Sequence, residues 1–431
     1  MRADGGVGTD SVAPAPMEAT VLTFLVAATI LLQRLALPLG AEQLPVVLPV
    51  VLTLLAWAAR RGLTQTEPVR LQLYMLAISS CAVAALISLW RGLPWSLLSI
   101  IYLIVIYFPF CFHLRAPSRR AYAAGLAFFL KLMTLAAVVG IAQMAAQLLG
   151  LPYVDPLGYL PDQLLLREYN TSYPVIYGSP IFKTNGVFFL EPSFYSQFLA
   201  LALITHLHLR RRGPAPYLYV AGIVASVSGT GIILAVVGSL FVAVSQRRPV
   251  GRLVAAGLAV GLIVAVTPVR DIFAARITES AASGSSAQGR FQAPYEIALA
   301  EVGDDPMDIV AGRGPGQAER LSRVSAERTG LVPVFPVIAK LVVEYGAPPT
   351  LLFMAFILTS VGWRVRAISL SASLVVMYLT LSGSLLQPAT VYVMFAFTSL
   401  FADGRATAGT ERLAFPGAVT APLATTSDTQ P

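Results

Sequence analysis

The stretch Lys183-Thr184-Asn185-Gly186-Val187-Phe188-Phe189-Leu190-Glu191-Pro192-Ser193 is polar at its start and runs into the apolar segment Leu199 to Leu209, with a carboxylate where the two meet. Pro192 suits the first turn of a helix, where its missing N–H costs nothing. Glu191 then stands just before a helix N-terminus, where the helix dipole favours an anion. Two readings are open for it. It is either a cap held by that dipole or a functional carboxylate, because an ionisable group this close to an apolar core is expensive to keep. The histidines, His113, His206 and His208, all fall at helix ends on the opposite side of the apolar runs, and Cys81 and Cys111 lie inside such runs. No Cys/His metal cluster and no disulfide is therefore expected near Glu191. What remains there is carboxylate, Arg, Lys, Ser and Tyr. That inventory suits a metal-free reaction, with no cofactor, in which a carboxylate helps a hydroxyl attack and arginines hold a phosphate leaving group.

Composition defines the setting of these residues. The chain has 431 residues, 56% of them hydrophobic and 12% charged. A soluble domain carries roughly a quarter charged residues, so an integral membrane protein is expected. The apolar runs are continuous rather than alternating, which indicates spanning helices and an all-α polytopic fold. The net charge of +8 does not argue for nucleic acid. Much of it sits in short Arg clusters between apolar runs, the pattern that the positive-inside rule produces.

Polar, Pro/Ala-rich residues 1–17 read as a cytoplasmic tail, residues 18–402 as the membrane domain and residues 403–431 as a second cytoplasmic tail. Spans are expected at 19–38, 44–59, 71–90, 95–114 and 125–149. Residues 217–244 read as two short spans meeting at the turn Ser226-Val227-Ser228-Gly229-Thr230-Gly231, whose small residues suit close helix packing. Further spans are expected at 253–268, across the second half of 334–363, at 368–384 and at 389–402. With the span that Glu191-Pro192 opens and that ends at Leu209, the total is about twelve, with both termini cytoplasmic.

Two long loops then fall outside. The first, 150–186, offers Tyr153, Tyr159, Tyr169, Tyr173 and Tyr177, whose rings suit either stacking on sugars or an interfacial aromatic belt. The second, 269–332, carries seven arginines, more than balanced by carboxylates, so any anion must be held by individually placed residues such as Arg290 and Arg313. Within it Ala293–Val302 and Gln317–Arg328 read as helices separated by Ala311-Gly312-Arg313-Gly314-Pro315-Gly316. Beyond it, Lys340 and Glu344 precede the breaker Gly346-Ala347-Pro348-Pro349, in a segment that lies along the membrane surface or dips into it. Among the carboxylates Glu191 is the first candidate for the acceptor hydroxyl and Glu344 the second.

Three patterns stand in order on one side: Lys183-x-Asn185-Gly186-x-Phe188-x-x-Glu191-Pro192-Ser193, then Ser286-x-x-Gly289-Arg290 with Gly312-x-Gly314-x-Gly316, then Leu341-x-x-Glu344-x-Gly346. Together they resemble the O-antigen polymerase and ligase superfamily, often called Wzy and WaaL, over residues 122–401. Within it the chain looks most like polymerases of secreted exopolysaccharides such as xanthan. The resemblance implies a GT-C-like glycosyltransferase of the bacterial inner membrane with its site facing the periplasm. It would transfer a growing glycan from undecaprenyl diphosphate to another lipid-linked repeat unit, with membrane lipid and the flippase, chain-length regulator and export proteins of the pathway as partners. Arg290 matches the loop arginine of that superfamily. Lys183 stands where it usually has Arg, which loses the bidentate fork. Lys183, Asn185, Arg313, Lys340, Tyr173 and Tyr177 are the candidate substrate-binding residues, beside Glu191, Arg290 and Glu344 as the catalytic ones. The ligases carry a His-Asn pair shortly before the Glu-x-Gly glutamate; here Phe335 and Pro336 stand there, which favours polymerase over ligase. A ligase-like transferase and a transporter or flippase for lipid-linked sugars are the alternatives.

Overall fold

The computed structural model describes residues 17–39, 42–167, 169, 171–175, 178–247, 286–303, 305–381 and 385–402. The expected span at 253–268, the first part of the second loop, both tails and Tyr177 lie outside the described residues. Among the described residues the fold is all-α apart from two small two-stranded sheets. Two helices among the described residues are long and apolar enough to cross a membrane, α3 (Pro68–Trp90) and α5 (Arg119–Leu148). The other apolar helices are shorter. They include α1 (Met17–Leu31), α2 (Val47–Arg60), α4 (Leu97–Tyr107), α7 (Ala215–Ala225) and α8 (Gly229–Ser245).

Prolines account for part of the shortening. The expected first span ends early, and its last residues form β1 (Ala36–Leu39), paired antiparallel with β2 (Glu42–Pro45). Pro38 and Pro45 lack the N–H that a helix needs there. Likewise α4 gives way to a 3-10 turn at Phe108–Cys111, which contains Pro109, and then to β4 (Phe112–Leu114). That strand pairs with β3 (Thr64–Thr66). The expected two-helix reading of 217–244 matches α7 and α8, and the small residues serve packing. A Cβ on Gly231 would come within 2.5 Å of Ser196, and one on Gly238 within 2.2 Å of Ile204, so α8 lies directly against α6 (Pro192–His208).

The polar ends sort into two poles. At the first, Leu166 donates its N–H to the Arg34 carbonyl, Gln43 reaches the Leu165 carbonyl at 2.8 Å, and Arg91 pairs with Asp305 and Asp308 at 2.7 and 2.6 Å. At the second, Arg70 donates to the Ser399 carbonyl at 3.0 Å, and Glu67 lies 3.6 Å from His113 and 3.8 Å from Arg364. His208 meets Ser369 there at 3.2 Å.

Between the poles runs an apolar core that includes Tyr107, Phe110, Phe129, Phe198, Phe353 and Phe356, all fully buried. The first pole carries a cap of short helices: α9 (Ser286–Phe291), α10 (Ala293–Gly303), α11 (Pro306–Ala311), α12 (Gln317–Thr329) and α13 (Val337–Tyr345). Ala298 and Val302 of α10 pack with Ala318, Phe335, Ala339 and Val343 in a small core of their own. From this cap α14 (Ala347–Gly362) runs to the second pole against α3, and α15 (Ile368–Val376) and α16 (Pro388–Phe397) close the bundle. All ten residues of α16 are buried.

Candidate active site at the mouth of α6

Glu191 occupies the position before the first turn of α6 in extended backbone, and its side chain makes no capping bond to that helix. No capping hydrogen bond holds it. Its carboxylate instead accepts from Ser193 Oγ at 3.0 Å and from Arg290 Nη2 at 2.9 Å. Arg290 also approaches Ser193 Oγ at 3.4 Å. Two residues 99 apart in sequence, both picked out by residue type and motif, form one cluster. Both side chains are only part-buried, at 21% and 16% exposure, so the pair is open to an incoming anion. Arg290 is set in place by its neighbour Gly289, whose carbonyl accepts from Val334 N–H at 2.8 Å.

The approach to Glu191 is a tight, strained turn. Asn185 is fully buried; its amide oxygen accepts from Val187 N–H at 3.0 Å and its amide nitrogen donates to the Thr171 carbonyl at 3.3 Å. Asn185 therefore braces the loop with both ends of its side chain. Gly186 has φ +60°, and a Cβ there would come within 2.7 Å of the Tyr195 ring. Val187 follows at φ +69°, an outlier for a β-branched residue. Its carbonyl is held by Arg34 Nη1 at 2.6 Å, and the same guanidinium grips Asp155 through two parallel bonds of 2.7 and 2.6 Å. Such backbone strain persists only where the surroundings over-determine it. Arg34 is 3% exposed. It was missed from sequence, although it falls inside the expected first span, where an arginine is costly and calls for a partner. Lys183 is buried, with its ammonium 4.5 Å from the centre of the Tyr173 ring.

Beside Leu190, the residue before Glu191 in the chain, opens a cleft of about 310 Å³. Arg34, Asp162, Arg167, Tyr169 and Thr171 give it polar and aromatic walls, and Leu165, Leu166 and Leu190 an apolar floor. Tyr169 is steadied edge-on by Phe194, with ring centres 6.2 Å apart.

The remaining candidates form separate groups. Lys340 and Glu344 lie one turn apart on α13 at 3.7 Å, and Lys340 bonds directly to Glu319 of α12. Ala318 N–H, at the start of α12, points at Glu344 Oε1 at 3.4 Å. Burial, reinforced by Glu319 and opposed by Lys340, pushes the Glu344 carboxyl up to about 8. Burial would lower Lys340, but Glu319 and Glu344 raise it above the usual lysine value. Lys340, bonded to Glu319 and 3.7 Å from Glu344, ties α12 to α13. Arg313 is paired with Glu301 and lies 3.8 Å from Asp308.

The glycine motifs find their reason here. A Cβ on Gly312 would lie 2.5 Å from the backbone of Glu344, and one on Gly346 would lie 2.5 Å from the backbone of Val310. The two chains cross in direct backbone contact, with Arg313 N–H donating to the Val343 carbonyl and Gly314 N–H to that of Glu344. Their dihedrals, φ +65° with ψ −169° and φ +80° with ψ 177°, belong to a region open essentially to glycine alone. The Gly-x-Gly-x-Gly and Glu-x-Gly patterns are two halves of one clasp.

Compared with known proteins, the chain matches no family model, no curated protein and no solved structure.

Proposed function

We propose that the chain is a polysaccharide polymerase of the bacterial inner membrane. It joins undecaprenyl-diphosphate-linked oligosaccharide repeat units into exopolysaccharide at the periplasmic face. The observation that carries this reading is the Arg290–Glu191 contact at 2.9 Å, which brings the phosphate-binding and hydroxyl-directing candidates of the sequence to one point. The segregation of polar ends into two poles supports a polytopic chain of about twelve crossings, with the Arg-clustered second pole cytoplasmic. The exposed apolar side chains of α3, among them Met75, Leu86 and Trp90, suit contact with lipid.

The chemistry follows from the cluster. A diphosphate arriving at Arg290 competes with Glu191 for the guanidinium, because charge-assisted bonds to phosphate are strong and Arg presents a fork that fits them. Glu191 is thereby released toward the acceptor sugar. The acceptor hydroxyl oxygen attacks the anomeric carbon, the bond from that carbon to the diphosphate oxygen breaks, and the electron pair leaves with the diphosphate under the charge of Arg290. The hydroxyl proton passes to Glu191 and then to solvent. Ser193 steadies the carboxylate, and the cleft beside Leu190 offers Tyr169 as a stacking face with Arg167 and Asp162 for sugar hydroxyls. Glu344, Lys340 and Arg313 shape the cap that presents Arg290.

The test is the lipid-linked material left in cells lacking the protein. Single repeat units on undecaprenyl diphosphate, open to enzymes added from the periplasmic side, are expected. Long lipid-linked chains would indicate a ligase and single units protected inside a flippase; either would overturn the reading.

A further inference from the structure

A second cleft, of about 320 Å³, lies between the α3–α4 connection and the cap helices α10 and α12. Leu93 and Pro94 form one wall, and Leu321 and Val324 the other. Its charged lining is Glu301, Arg313 and Arg320. Glu301 is taken up by Arg313. Arg320 is exposed and makes no ion pair among the described residues, which leaves the cleft with one unbalanced positive charge. The residues that flank Leu93 and Pro94 in the chain are apolar and uncovered: Trp90 is 83% exposed, and Leu89, Leu97 and Leu98 are each exposed as well.

An open guanidinium together with an aromatic and aliphatic strip is the complement of a lipid with an anionic headgroup. The cleft is also joined to the reacting centre. Ser322, beside Leu321, donates to the Pro333 carbonyl at 2.6 Å, and the next residue, Val334, is bonded to Gly289 beside Arg290. The α3–α4 connection is tied to the cap by Ser96 N–H on the Pro315 carbonyl at 2.8 Å.

Polymerisation needs two diphosphate lipids in different positions. The donor's diphosphate is the leaving group and must sit at Arg290. The acceptor's diphosphate stays intact, at the opposite end of its oligosaccharide from the hydroxyl that reacts. It must therefore be held away from Arg290, by the length of a repeat unit, at the edge of the membrane. We propose that the second cleft holds this intact diphosphate, with Arg320 as its principal contact and the Trp90–Leu97 strip as the bed of the polyprenyl chain. The inference rests on the polymerase reading, which alone calls for a second headgroup site.

The experiment uses the full chain in phosphatidylcholine nanodiscs and a photoreactive benzophenone analogue of farnesyl diphosphate as probe. Labelling is expected at residues 93–97 or 317–324, to survive in Arg290→Ala, and to fall roughly tenfold or more in Arg320→Glu, the range for losing a bond to a charged group. Arg320 is exposed, so the variant should fold; a normal thermal transition checks this, and Arg320→Lys should retain part of the labelling. Labelling unaffected by Arg320→Glu would overturn the site. Equal displacement by phosphatidylglycerol would show a site for bulk anionic lipid and would overturn it too. In turnover assays Arg320→Glu should raise the KM for acceptor with kcat little changed, and a fall in kcat alone would refute the acceptor role. If the wild type makes no polymer at all, the polymerase reading fails, a result separate from any labelling outcome.

Discussion

The guanidinium of Arg290 and the carboxylate of Glu191 stand 2.9 Å apart, with both side chains partly open to solvent. An ion pair this exposed contributes little to stability, typically below about 1 kcal/mol. Its loss should be felt in turnover instead. Arg290→Ala and Arg290→Lys should each lower kcat by about a hundredfold or more, the range for removing one donor from a developing charge. Glu191→Gln should do likewise while the thermal transition stays in place. A reconstituted polymerisation assay beside a thermal-shift measurement reads both, and wild-type turnover in any of the three variants would remove that residue from the reaction.

Arg34 and Asp155 behave differently because Arg34 is buried and its partner carboxylate is only 11% exposed. Arg34→Ala leaves a carboxylate unpaired in the interior and frees the Val187 carbonyl, so it should destabilise by about 3–5 kcal/mol. The double variant Arg34→Ala, Asp155→Ala should recover much of that loss. Protease sensitivity of the 150–186 loop offers the readout, and a double variant as sensitive as the single one would show that the two side chains do not act as a pair.

The clasp glycines can be separated from an ordinary turn glycine. Gly330 also has positive φ, +71°, but nothing lies within 4 Å of a Cβ there. Gly330→Ala should therefore cost only the left-handed penalty, roughly 1–2 kcal/mol. Gly312→Ala and Gly346→Ala add a collision with backbone and should unfold the cap or abolish expression. Thermal denaturation of the three variants in detergent checks the order, and equal losses would contradict it.

The raised Glu344 carboxyl carries a pH dependence with a definite sign. Below about 4.5 it is protonated in both folded and unfolded chains; from there to about 8 only the folded chain keeps the proton. Stability should therefore fall as pH rises through that window, since the fold binds the extra proton. Lys340 is raised from 10.5, so its contribution is lost only above that value. Glu344→Gln, which mimics the protonated form, should flatten the decline between these limits. Melting temperatures across pH 4.5–8 decide it, and an unchanged slope in the variant would mean that Glu344 is ionised in the fold.

Sequence was most informative where one residue type had few physical options. Glu191 beside Pro192 indicated a helix mouth, and the two helices at 293–303 and 317–329 were bounded by visible Gly and Pro signals. The Ser226–Gly231 turn and the Gly346 break were legible for the same reason. The first span was not, because Ala36-Leu37-Pro38-Leu39 is as apolar as a helix and only pairing with Glu42–Pro45 makes it a strand. Arg34 escaped because its partner lies 121 residues away, and nothing local announces such a pair. Glu319 was seen only as one of many loop carboxylates. Its neighbour in space, Lys340, is reached through a helix hairpin that periodicity alone does not orient.

The crossing of Gly312 and Gly346 also bears on how this chain can change. In an ordinary core contact, a mutation that enlarges one side chain can be rescued by a second that shrinks its neighbour. Here each glycine faces the other strand's peptide backbone rather than a side chain. There is no group to trim, so a genetic screen for suppressors of a substitution at either glycine should recover true revertants and no compensating partner at the other.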